Sequence, residues 1–195
     1  MNLRIEQDSR VRRITLAGPA RRNVLDATLS ADLLRELADA EGDSGTGSIL
    51  LDAEGQVFCG GMDFATPLPD EIFTFGRTAT KPIVVAVQGV AISAGLALIA
   101  NAHVAVAAQG SSFGLTDIRE GRCHPGILAA VSGAIGERRA RELALTGRVF
   151  STPEALAWGL IHAITPAFEL EDRVIAIATA LANADAAAVR AAMRY

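Results

Sequence analysis

Two glycine-bearing stretches stand out as places where backbone could do chemistry. Val57-Phe58-Cys59-Gly60-Gly61-Met62-Asp63-Phe64 puts two glycines directly after a strand-like run, so that main chain can approach a ligand closely. Gly89-Val90-Ala91-Ile92-Ser93-Ala94-Gly95-Leu96 joins an apolar strand-like run to a helical one. Its first helical amides therefore lack an intrahelical acceptor and carry the positive end of the helix dipole. Two such amide sources aimed at one point form an oxyanion hole, the device that holds negative charge building on a carbonyl oxygen. Either stretch alone reads equally well as a structural tight turn. Within the first stretch Cys59 lies beside the glycine turn, where a small residue suffices, and a covalent role for its thiol is the lesser reading.

Such turns need strands that end where the turns begin. No Asp, Glu, Lys or Arg occurs from Pro82 to Thr116, a run long enough to suggest a membrane span. Gln88, Ser93, Asn101 and His103 interrupt it, and its texture passes from Ile83-Val84-Val85 through Gly95-Leu96-Ala97-Leu98 to Val104-Ala105-Val106. That sequence is expected to form strand, helix and strand in a buried core, because parallel strands covered on both faces read as unbroken apolar runs. Further strands are expected near Leu3–Glu6, Arg12–Ala17 and Ser48–Asp52. An amphipathic helix is expected from Asp26 to Glu41, with Leu29, Leu33, Leu34 and Leu37 on one face and Asp32, Arg35, Glu36 and Asp39 on the other. After Gly136 the pattern predicts helix throughout: Glu137–Thr146, Pro153–Gly159, Glu169–Asn183 and a last segment to Tyr195. Ser151-Thr152-Pro153-Glu154 has the residues of a capped helix start. Residues 1–136 are thus expected to be a core carrying the site, and residues 137–195 a C-terminal helical region.

Composition narrows the field. In a chain of 195 residues, 50% apolar and 21% charged, disorder and collagen-like repeats are excluded as whole-chain descriptions. A net charge of −4 gives no field for wrapping nucleic acid. Cys59 and Cys123 cannot build a disulfide framework, and they lack metal-site spacing with His103, His124 and His162, so no metal is expected. Arg4 and Glu6 stand where an export signal needs an apolar stretch, which makes the cytoplasm the expected compartment and leaves no membrane partner.

Taken in order, with the intervening Lys81-Pro82-Ile83-Val84-Val85-Ala86-Val87-Gln88-Gly89, the two stretches resemble the enoyl-CoA hydratase/isomerase family, the crotonase superfamily. Pro19-Ala20-Arg21-Arg22-Asn23-Val24-Leu25 resembles its CoA-side turn, and Phe113-Gly114-Leu115-Thr116-Asp117 its catalytic strand-to-loop segment. Leu145-Thr146-Gly147-Arg148 through Ala155-Leu156-Ala157-Trp158-Gly159-Leu160 resembles its trimer-side helices. The resemblance implies an α/β crotonase-like spiral of ββα units, an acyl-CoA thioester as ligand and no separate cofactor. It also implies an enolate-like intermediate held by the backbone N–H groups of Met62 and Ala94. Gly60, Gly61, Asp63 and Phe64 would then line the acyl thioester, with Arg21, Arg22 and Val24 on the CoA side. An Arg fork suits phosphate, although two solvated turn arginines are the bland reading. A homo-oligomer, trimer or hexamer, is the family expectation.

The two family acid positions are occupied unequally. The first matches Ala97, which can move no proton, and the second matches Asp117, one methylene shorter than the family glutamate. The resemblance therefore implies double-bond isomerisation or weak hydration through a single carboxylate rather than efficient hydration. Asp117 also reads as a structural carboxylate, paired with Arg119 or Arg122, or as a helix cap; Glu120 is a weaker candidate. His124 suits proton transfer near neutral pH, and otherwise reads as a solvated or substrate-lining residue. His103 and His162 read as structural. An acyl-CoA-binding homologue without hydratase activity is the alternative, favoured by Ala97, by the short stretch between Phe64 and Lys81, and by an end at Arg194-Tyr195 where typical members continue. A remote alternative is a Clp-like serine peptidase with Ser93 as nucleophile and His124 as its partner.

Overall fold

The computed structural model describes residues 2–194; Met1 and Tyr195, the latter closing the expected last helical segment, lie outside the described residues. In chain order the elements are β1 (Leu3–Asp8), β2 (Val11–Leu16), α1 (Ala27–Gly42), β3 (Ser48–Ala53), β4 (Val57–Cys59), α2 (Phe75–Thr78), β5 (Ile83–Val87), β6 (Val90–Ile92) and α3 (Ala94–Ala100). There follow β7 (Val104–Ala108), β8 (Ser112–Gly114), α4 (Pro125–Ile135), α5 (Glu137–Thr146), β9 (Val149–Ser151), α6 (Thr152–Trp158), β10 (Ala163–Thr165), α7 (Leu170–Asn183) and α8 (Ala186–Met193).

A repeated division of labour organises the strands. β3, β5 and β7 enter a six-stranded sheet of order β1-β2-β3-β5-β7-β10, while β4, β6 and β8, each next in the chain, enter a four-stranded sheet of order β4-β6-β8-β9. All pairings are parallel except β1 with β2 and β8 with β9. Each winding thus lays one strand on each sheet, which is the ββα spiral expected from the resemblance. The charge-free run from Pro82 to Thr116 becomes β5, β6, α3, β7 and β8. Among the described residues no single helix is long and apolar enough to cross a membrane.

The unbroken apolar strands follow from two buried faces. Ile49, Leu51, Ile83, Val85 and Val87 point into the main core with Leu29, Leu33 and Leu37 of α1, whereas Leu50, Val84, Ala86 and Val106 point outward beneath Val174 and Ala178 of α7. Each fully buried Leu or Val adds about 1.5–3 kcal/mol relative to exposure, so alternation onto two covered faces fixes the register strongly. The α1 expectation is met to within a residue at each end, with Asp26 capping the helix through the Leu29 N–H. The Ser151–Glu154 capping box is formed in full, both reciprocal bonds being present.

The C-terminal expectation needs correction. The chain after Gly136 is not helical throughout: β9 pairs antiparallel with β8, and β10 pairs parallel with β7 on the edge of the large sheet. Each of these strands has three residues. That is too short to show a period of two against flanking helices. α5, β9 and α6 add Ala140, Leu143, Phe150 and Ala155 to the main core, and α7 covers the outer face of the large sheet.

Candidate active site

The first glycine turn is held by backbone pairing. Gly60 N donates to Arg22 O at 2.9 Å, Leu25 N to Gly61 O at 2.9 Å, and Asp63 N to Leu25 O at 2.8 Å, making a one-residue parallel bridge between Leu25 and Met62. In that geometry the Met62 N–H points away from Leu25, and it donates to no acceptor among the described residues. Gly61 takes φ +116, a conformation glycine adopts without steric cost. A Cβ on Gly60 would come within 3.1 Å of Arg22 O and 3.4 Å of Val24 Cγ2, so the CoA-side turn and the first oxyanion candidate lie against each other. Asn23, buried and at φ +51, ties the turn down: its Oδ1 accepts from Gly18 N, and its Nδ2 donates to Glu54 O and Val57 O.

The second turn packs against the first. A Cβ on Gly61 would sit 3.7 Å from Ser93 Cβ, and one on Gly95 would clash with Cys59 O at 2.8 Å. Ser93 has φ +53 and ψ −110, the conformation of the first central residue of a type II′ turn and one strongly favoured by glycine. Its N–H donates to Gly114 O, and its C=O accepts from Leu96 and Ala97, while the Ala94 N–H has no backbone acceptor among the described residues. Two amides without an acceptor among the described residues therefore lie on turns that touch.

Asp117 lies in a 3-10 turn, Thr116–Glu120, that follows β8. The expectation that Arg119 or Arg122 pairs with it is not met. Its Oδ2 accepts a short hydrogen bond from the Ser93 hydroxyl instead, and Arg122 pairs with Glu120 at 3.5 Å. Burial pushes the Asp117 carboxyl above its ordinary range, the Ser93 bond opposes that rise, Glu120 adds to it, and His124 and Arg122 oppose it. Such a carboxyl is a better proton acceptor than a solvated aspartate. Asp117 and His124 line one small cleft with Leu115, Arg122, Cys123 and Ile127.

His124 caps α4, its Nδ1 accepting from Gly126 N at 3.2 Å, and its ring lies 4.6 Å from that of Phe73. Ser93 is engaged by Asp117 and shares no hydrogen bond with His124, so the nucleophile–base pair of the remote peptidase reading is not formed. Ala97, the residue matched by resemblance to the first family acid, is fully buried in α3.

The binding residues divide. Arg21 is tied to Asp26 at 2.9 Å, whereas Arg22 is exposed, with no salt-bridge partner among the described residues, over the first turn. Asp63 closes a local turn by accepting from Ala65 N, and Phe64 lies beneath the Arg122 guanidinium at 4.9 Å. Cys59 is buried and its thiol is pushed up to about 12, so it holds no thiolate at neutral pH. His103 and His162 accept from Ile83 N and Ala105 N and are strand ties, burial holding His103 below the ordinary imidazole range. A separate cavity of about 380 Å³ between α1 and the Thr74–Ala79 segment touches none of these site residues. Sequence reasoning missed Ser93 as a partner of Asp117, naming it only as the nucleophile of the remote peptidase alternative. The signal available was a hydroxyl at a position whose backbone suits glycine.

A sequence model of the family described as enoyl-CoA hydratase/isomerase matches residues 6–195. A mevalonyl-coenzyme A hydratase of Aspergillus fumigatus is 28% identical over 200 residues, spanning 92% of this chain and 72% of that protein. The crystal structure of an enoyl-CoA hydratase from Mycobacterium avium superposes with TM-score 0.89 at 31% identity, covering 100% of this chain and 86% of that one. That of human enoyl-CoA hydratase domain-containing protein 3 gives TM-score 0.92 at 25% identity, covering 99% and 82%. Fold, turns and sequence together place the chain in the enoyl-CoA hydratase/isomerase family of the crotonase superfamily.

Proposed function

We propose that this protein shifts the double bond of an enoyl-CoA thioester from C3 to C2, using Asp117 as its only base and requiring no metal or redox cofactor. The Met62 and Ala94 amides polarise the thioester oxygen. Asp117 removes a proton from C2, the C–H electron pair moves into the C1–C2 bond, and the carbonyl electrons move onto the oxygen held by the two amides. When the enolate collapses, the C3–C4 double bond becomes C2–C3 as C4 takes a proton from the Asp117 carboxyl. Atoms and charge balance without another reactant. In this reading Arg22, exposed beside Gly60, and Arg21 meet the CoA phosphates.

The observation that carries this reading is the pairing of one half-buried carboxyl, whose proton affinity burial raises, with a buried alanine at the other acid position. Hydration in which two acids hold the attacking water lacks its second acid here, so water addition is slow beside isomerisation. Ala97 also favours a binder that performs no chemistry. Conjugated 2-enoyl thioesters absorb in the ultraviolet, so incubation with 3-enoyl-CoA tests both readings. Growth of that absorbance with wild type and its loss with Asp117→Ala supports isomerisation. Bound thioester with no turnover by wild type establishes the binder. The family oligomer is part of the same proposal, supported by the exposed Leu145 and Val149 on and beside α5.

A further inference from the structure

We infer that Ser93 is the positioning residue of this site, its hydroxyl holding one oxygen of the Asp117 carboxylate while its backbone directs the adjacent Ala94 amide. The inference rests on the isomerase reading and adds a residue to it. Three observations meet at Ser93. The side chain is fully buried, and its hydroxyl is spent on Asp117, twenty-four residues away in the chain. The backbone takes φ +53 and ψ −110, a strained conformation for a non-glycine residue. A glycine would satisfy the turn at no such cost, so the strain is retained for something glycine lacks, and the hydroxyl is that something.

The consequence for chemistry is geometric. With Oδ2 occupied by Ser93, the other oxygen, Oδ1, has no hydrogen-bond partner among the described residues and is left to exchange protons. The torsion ψ of Ser93 orients the peptide plane that ends in the Ala94 N–H. One residue therefore sets both the base and one oxyanion donor, and moving it misaligns them together. Arg122, Cys123 and His124 share the cleft with Asp117, and Glu120 acts on it from the same 3-10 turn; α5, packed on that turn, contributes only Ala144 to the cleft.

Ser93→Ala and Ser93→Gly both delete the hydroxyl but act oppositely on the backbone, since alanine keeps the strained Cβ and glycine removes it. Measured on 3-enoyl-CoA, both variants are expected to lose about tenfold in kcat with KM little changed, and the acidic limb of kcat/KM to move up by about one pH unit. Ser93→Gly is expected to melt at a higher temperature than Ser93→Ala. An unmoved limb in both variants, with activity following melting temperature, overturns the positioning role and leaves the isomerase reading standing. Turnover persisting in Asp117→Ala overturns the single-base reading itself, and the role of Ser93 with it.

Discussion

The two turns that meet at the site solve the same steric problem in opposite ways. At the first, the positive φ falls on Gly61, and the turn is fixed by pairing with Leu25 and by the buried Asn23 amide. At the second, the positive φ falls on Ser93, which carries a side chain into a conformation suited to glycine. The first turn supplies only backbone to the site. The second supplies backbone and a hydroxyl that grips Asp117. A strained non-glycine residue beside a proton-transfer group is stability given up for orientation. The difference separates the parts of the site that must be close from the part that must be aimed.

The contact between the turns leaves no room for a side chain at Gly95. Gly95→Ala places a methyl 2.8 Å from Cys59 O, and since backbone must move to relieve it, a loss of about 1–3 kcal/mol is expected in chemical denaturation. Turnover should fall well beyond what the lost folded fraction explains, because the Ala94 amide moves as well. The contrast itself is broken or upheld by a matched pair of variants. Gly61→Ala should destabilise by about 1–2 kcal/mol and Ser93→Gly should stabilise by about 0.5–1 kcal/mol, read as opposite shifts of the urea midpoint. Equal signs would mean that the two turns carry the same strain.

Smaller effects sharpen the account on the CoA side. Arg22→Ala should raise the KM for CoA thioesters a few-fold, more at low salt, while Arg21→Ala, whose guanidinium already serves Asp26, should change it less. The smallest effect concerns pH and stability. The native Asp117 carboxyl keeps its proton to higher pH than in the unfolded chain, so the folded state binds more protons across the window from the ordinary aspartate value up through the raised native one. Its contribution is fully present below that window and is lost as pH rises through it. Asp117→Asn removes this loss, so the variant should gain on wild type between acidic and neutral pH. A constant difference across that range would show that Asp117 is not desolvated.

Much of the fold was legible because periodicity reports burial. Leu29, Leu33 and Leu37 marked α1, the charge-free run marked strands covered on both faces, and Ser151 with Glu154 marked a helix start. β9 and β10 were hidden because three residues carry no period and their partners, β8 and β7, are distant in the chain. The two amide turns and Asp117 were legible from motif resemblance. Its partner was not, since the Ser93–Asp117 bond joins separate windings of the spiral and depends on a backbone torsion that no residue spacing reveals. Likewise nothing local showed that Asp26 claims Arg21 and leaves Arg22 free.

The central claim is that one carboxylate moves the proton and no second acid delivers water. The measurement that bears on it most directly follows matched 2-enoyl- and 3-enoyl-CoA thioesters by NMR, reading double-bond position and the 3-hydroxy product together, with wild type and Asp117→Ala side by side. The account predicts that wild type converts the 3-enoyl thioester to the 2-enoyl form much faster than it adds water, and that the variant does neither. Water addition outpacing isomerisation, or either reaction surviving in the variant, would contradict it.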